Sequence, residues 1–66
     1  MKNNLNQLRK ERQLNQAELA DEMSVSRQTI SSLESGRYNP SIDLAIKLAC
    51  YFNVTVEELF IYEEDV

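Results

Sequence analysis

Residues 16–35, QAELADEMSVSRQTISSLES, constrain the fold more than any other part of the chain. Leu19, Ala20 and Met23 recur at helical spacing, Ile30 and Leu33 do the same further on, and Val25 lies between the two sets. That spacing predicts two short helices joined by a tight turn, with one apolar side running through both. The other side of the second helix has a contrasting character. At about 100° per residue, Arg27, Gln28, Ser31, Ser32 and Ser35 fall on one arc of roughly 140°, opposite Ile30 and Leu33. No carboxylate lies on that arc, although the chain has eleven acids against seven bases. A helix face of guanidinium, amide and hydroxyl groups suits a polyanion that presents base edges.

Sixty-six residues make one domain, and a domain of this size buries only about 60% of the surface its unfolded chain exposes. Dimerisation would add to so small a core. No apolar run is long enough to span a membrane, and MKNNLNQLRKERQLNQ lacks the apolar centre of a signal peptide, so the expected location is cytoplasmic, with no membrane partner. One cysteine cannot close an internal disulfide, and without histidine there is little from which to build a zinc site or a catalytic base. No metal or other cofactor is expected. Cys50, within LAIKLACYF, reads as a small core side chain.

The net charge of −4 argues against general coating of nucleic acid. Its distribution is uneven: residues 1–40 carry six bases and five acids, while residues 41–66 carry one base and six acids. A DNA face would therefore lie on the first half, with the acidic second half turned away.

Taken in order, Asn4 with Gln7 reads as a capping box that opens a helix through about residue 12, with Leu5 and Leu8 facing inward. Arg9, Lys10 and Arg12 place basic charge near its C-terminal end, where the helix dipole favours it. For Lys10 and Arg12 two readings stand, a solvated dipole-matched face or phosphate contact. Asn15 with Glu18 forms a second capping box, and Leu14 can staple onto Leu19. Ser24 and Val25 make the turn, and Ser26 caps the third helix. Arg27 then takes the first helical position, where its charge opposes the dipole and an acid would be favoured. That local conflict points to function, because a helix N-terminus beside an arginine can receive a phosphate or a guanine edge.

Gly36 supplies the left-handed residue that ends this helix. Ser41 caps a fourth helix with Asp43 in its first turn, and Leu44, Ala45, Leu48, Ala49 and Phe52 form its broad core face. Thr55 with Glu58 caps a short fifth helix over residues 56–60. Phe60, Ile61 and Tyr62 then place three large apolar groups near the end, either as a self-association surface or as a cover on the core of a single copy. Residues 63–65 read as a solvated acidic tail.

At this point the residues resemble a family. LNQAELADEMSVSRQTISSLESGRYNPS is similar to the helix-turn-helix of the Cro and phage-repressor class, also called Xre-like regulators, and the resemblance runs from Leu5 to Phe60. It rests on Gln16 opening helix 2, the small Ala20 at the helix crossing, Val25 in the turn, Ile30 and Leu33 in the core, and the run Leu33, Glu34 and Gly36. The implied fold is all-α, a compact five-helix lambda-repressor-like DNA-binding domain with its helix-turn-helix at helices 2 and 3. Ser24 departs from the glycine often found in that turn.

The resemblance also implies roles. Gln16 matches a phosphate clamp. Arg27, Gln28 and Ser32, with Ser31 between them, match positions that meet bases or flanking phosphates. Arg37 and Asn39 match a loop that grips the backbone; apart from the resemblance, Ser26, Lys10 and Arg12 are the remaining candidate phosphate contacts. Arg9 and Glu34 match a structural ion pair between helices 1 and 3, which takes Arg9 out of the DNA face.

The expected function is a sequence-specific double-stranded DNA-binding transcriptional regulator, a homodimer on an inverted-repeat operator. Repression by blocking polymerase is its simplest action. Residues 55–66 are the candidate dimerisation segment. Two alternatives share the fold: an antitoxin whose main partner is a toxin, and a protein-interaction module using helices 4 and 5. No small-molecule pocket is expected in a core this small, and without histidine or a paired nucleophile and base the chain does not read as an enzyme.

Overall fold

The computed structural model describes residues 1–62. Five helices run in order: α1 (Leu5–Glu11), α2 (Gln16–Met23), α3 (Arg27–Glu34), α4 (Ile42–Phe52) and α5 (Val56–Leu59). Two very short strands, β1 (Lys2–Asn3) and β2 (Phe60–Ile61), pair antiparallel with Lys2 opposite Ile61 and Asn3 opposite Phe60. The architecture is all-α with this small clasp joining the start of the fold to the end of α5.

Local chemistry starts most of the helices. Asn15 accepts from the Glu18 amide while Glu18 reaches back to the Asn15 amide, and Thr55 and Glu58 repeat that reciprocal arrangement at α5. Ser26 and Ser41 cap α3 and α4 by accepting the Thr29 and Leu44 amides.

Helix α1 starts differently. Asn4 makes no side-chain cap, because the β1–β2 clasp draws its backbone N–H onto the Leu59 carbonyl at 2.9 Å and its side-chain amide onto the Glu58 carbonyl at 2.9 Å. Asn3 takes over, accepting the Leu5 amide, and Gln7 donates instead to Glu11. The capping box expected from Asn4 and Gln7 is thus replaced by long-range contacts.

Four helices end alike. After α1, α2, α3 and α4 the chain turns through a left-handed residue, respectively Gln13, Ser24, Gly36 and Asn53. At each, the next amide reaches back to the carbonyl five residues earlier, as Val25 does to Ala20 at 3.0 Å. In the turn between α2 and α3 a serine at φ 59° does what glycine would do without steric cost.

The core is one cluster in which Leu5, Leu19, Ile30, Leu33, Leu48 and Leu59 are fully buried. Helix α4 contributes Leu44, Ala45, Leu48, Ala49 and Phe52, while Leu8 and Val25 pack at the margin. Two expectations are corrected here. Cys50 is exposed, since it lies almost opposite the middle of the arc defined by the five buried α4 residues. Phe60 leaves α5 for β2 and is buried in the core, so among the three C-terminal apolar residues only Ile61 and Tyr62 are exposed. The expected tail at residues 63–65 lies outside the described residues.

Among the described residues, no helix is long and apolar enough to cross a membrane.

Candidate nucleic-acid interface

Helices α2 and α3 pack through Leu19, Ala20, Ile30 and Leu33, and this fixes the angle at which α3 presents its outer face. That face carries Arg27 and Gln28 exposed at the N-terminal end, with Ser31 and Ser32 half-buried one turn later. The first turn of α3 contains no acid. Ser26 spends its hydroxyl on the cap and on a 3.0 Å hydrogen bond with the Thr29 hydroxyl.

Two depressions flank the α3 N-terminus. One is a groove lined by Ser26, Gln28, Thr29, Ser32 and Tyr38. The other is a recess lined by Arg9, Asn15, Gln16, Ala17 and Arg27, so the fold brings the start of α2 beside the start of α3. The Asn15–Glu18 box satisfies the amides of those two residues and leaves the α2 amides of Gln16 and Ala17 at the recess. Amides at a helix start beside an arginine form an anion-binding arrangement.

Behind the recess lies a polar network. Arg9 donates to Glu34 through Nε at 2.7 Å and Nη2 at 3.2 Å, and to the Leu14 carbonyl through Nη1 at 2.7 Å. Asn6 and Gln16 also donate to Glu34, at 3.0 and 3.1 Å. Burial pushes the Glu34 carboxyl up, but the hydrogen bonds from Arg9, Asn6 and Gln16 and the Arg9 charge outweigh it and hold Glu34 below the usual carboxylate range. The same contact with Glu34 raises Arg9. Glu34 is therefore ionised yet locally neutralised.

The loop after α3 is held by backbone. The Arg37 and Tyr38 amides both donate to the Ser32 carbonyl, and the Arg37 side chain donates to Ser35 at 3.2 Å. Arg37, Tyr38 and Asn39 are exposed on the side of α3. Asn39 faces a separate cleft with Met1, Lys2, Ile61 and Tyr62.

Lys10 is exposed on the last turn of α1. Arg12 is exposed, and its guanidinium stacks over the Tyr51 and Phe52 rings at 5.2 and 5.3 Å, which fastens the end of α1 to α4. Sequence reasoning missed Thr29 and Tyr38 as walls of the groove. Tyr38 alone carried a signal, as an aromatic residue between two polar loop residues.

Comparisons with known proteins agree with this geometry. Residues 5–59 match the family described as Helix-turn-helix. An uncharacterized HTH-type transcriptional regulator of Methanocaldococcus jannaschii is 49% identical over 65 residues, covering 98% of both chains. The uncharacterized HTH-type transcriptional regulator YgzD of Bacillus subtilis is 37% identical, again over 98% of each. The HTH-type transcriptional activator BcrR of Enterococcus faecalis is 40% identical over 60 residues, which is 91% of this chain and 29% of that protein. With α2 and α3 presenting an acid-free face and nearly the whole chain matched, the protein belongs to the helix-turn-helix family of DNA-binding transcriptional regulators of the Cro and phage-repressor type.

Proposed function

We propose that the protein binds a specific double-stranded operator as a homodimer in the cytoplasm and represses transcription by occluding polymerase. The observation that carries this reading is the pairing of uncommitted Arg27 and Gln28 side chains with the recess at the start of α2. Helix α3 enters the major groove, Gln28 bonds adenine through N6 and N7, and Arg27 meets guanine or a flanking phosphate. Ser31 and Ser32 complete the base-facing set. Gln16, Ser26, Arg37, Asn39, Lys10 and Arg12 hold the phosphate backbone and set the register.

A single recognition helix reads few base pairs, so specificity favours two copies on an inverted repeat. Exposed Ile61 and Tyr62 supply apolar area for that contact. Occlusion needs only the DNA-binding surface, which supports repression, whereas the Enterococcus faecalis relative is named an activator.

The test is selection from random duplex DNA followed by salt titration of the best site beside a scrambled one. An enriched inverted repeat with half-sites about 10 bp apart is expected, bound roughly a thousandfold or more tightly than the scramble. A folded protein that enriches nothing at low salt would overturn the reading.

A further inference from the structure

The Gln16 carboxamide is held from behind. Its Nε2 donates to Glu34 Oε1 at 3.1 Å, and because an ionised carboxylate only accepts, the NH2 end of the amide is the end that must face Glu34. Gln16 is half-buried and lines the recess with Arg27. One N–H of the amide is spent on Glu34, and the second remains for an acceptor outside. Arg9 alone pins both oxygens of Glu34, so the orientation is passed from α1 through α3 to the first residue of α2.

We infer that Glu34 is a positioning residue for DNA binding, which fixes the Gln16 amide as a ready-made phosphate donor beside Arg27. This rests on the DNA-binding reading above and adds a role for a residue that touches no DNA. A carboxylate near a phosphate site would ordinarily repel the ligand, and the Arg9 guanidinium at 2.7 Å removes that cost. What Glu34 then contributes is order. Freezing one rotamer-rich side chain in advance avoids about 0.5–1.5 kcal/mol of ordering cost on binding, a factor of roughly 2 to 12 in affinity.

The experiment is a double-mutant cycle on affinity for the selected operator and for a scrambled duplex. It uses wild type, Glu34→Gln, Gln16→Ala and the double variant, each confirmed folded by circular dichroism at the assay temperature. Glu34→Gln should weaken binding to both duplexes by about three- to tenfold, because the contact served is to phosphate. In the Gln16→Ala background the same change should have no further effect. Should Glu34→Gln fail to fold, Glu34→Asp keeps the charge but draws the carboxylate back by one methylene, and the same loss and the same dependence on Gln16 are expected.

Asn6→Ala is the structural control. It removes another donor to Glu34 without touching Gln16, and it should leave affinity unchanged. Equal losses in both backgrounds, or no loss from Glu34→Gln, would overturn the inference while leaving DNA binding in place. Failure of the wild type to bind either duplex at low salt would instead remove the DNA-binding reading, and the inference with it.

Discussion

Arg9 and Glu34, 25 residues apart in sequence, meet at 2.7 Å with side chains only 10% and 6% exposed. Their contact ties α1 to α3. Arg9 also holds the Leu14 carbonyl, so one guanidinium braces the entrance to α2 as well. A pair this buried gains little over an apolar pair of the same shape, but each partner depends heavily on the other.

Arg9→Ala is accordingly expected to destabilise the fold by about 3 kcal/mol, because it leaves the Glu34 carboxylate buried beside two neutral amides. The double replacement Arg9→Met with Glu34→Leu should lose clearly less. Urea denaturation monitored by circular dichroism would show this; equal losses in the two variants would mean that the pair itself, rather than the orphaned charge, is what matters.

Acid should weaken the protein through the same residue. The folded Glu34 carboxyl titrates below its unfolded value, so its stabilising contribution is complete above the unfolded value, near 4.3, and is lost as pH falls through the folded one. Glu58, held down first by the Thr55 amide and then by the Thr55 hydroxyl, adds in the same direction. Urea midpoints should therefore be flat near neutrality and fall below roughly pH 5. In Glu34→Gln the acid limb should be shallower, and an unchanged slope would assign the acid sensitivity to other carboxyls.

The turn between α2 and α3 has room for improvement. Ser24 sits at φ 59°, a conformation that costs a residue with a Cβ about 1 kcal/mol or more, so Ser24→Gly should raise stability by up to about 1 kcal/mol. That corresponds to a melting temperature higher by several degrees, about 4–8 °C at most for a domain this small.

Gly36→Ala should do the opposite. Its φ is +81° and an added Cβ would stand 3.3 Å from the Met1 carbonyl oxygen, so about 1–2 kcal/mol of destabilisation is expected. Differential scanning calorimetry on the two variants side by side tests both signs.

On DNA, Gln28 and Gln16 should behave differently. Gln28→Ala should relax the base preference at one position of each half-site by about 1–3 kcal/mol, whereas Gln16→Ala should weaken selected and scrambled duplexes alike. Competition binding against single-base operator variants separates the two. Parallel weakening by both variants, with preference intact, would take base readout away from Gln28.

The sequence by itself determined the parts of this fold that arise within one or two turns of chain. The Asn15–Glu18 and Thr55–Glu58 boxes, the Ser26 and Ser41 caps and the apolar face of α4 are all interactions between residues three or four apart, which the helix brings together whatever surrounds it. The run of Leu19, Ala20, Val25, Ile30 and Leu33 likewise carries its own hinge, because only a turn at Ser24 lets both apolar faces join.

Tertiary structure decided the rest. Strands of two residues are too short to have a pattern, yet their pairing across the fold diverts Asn4 from its expected cap and seats Phe60 in the core. Arg12 found the rings of α4, and Gln16 found Glu34, through the packing of elements distant in sequence. Such contacts depend on how whole helices dock, and no local spacing encodes the docking angle that brings them within reach.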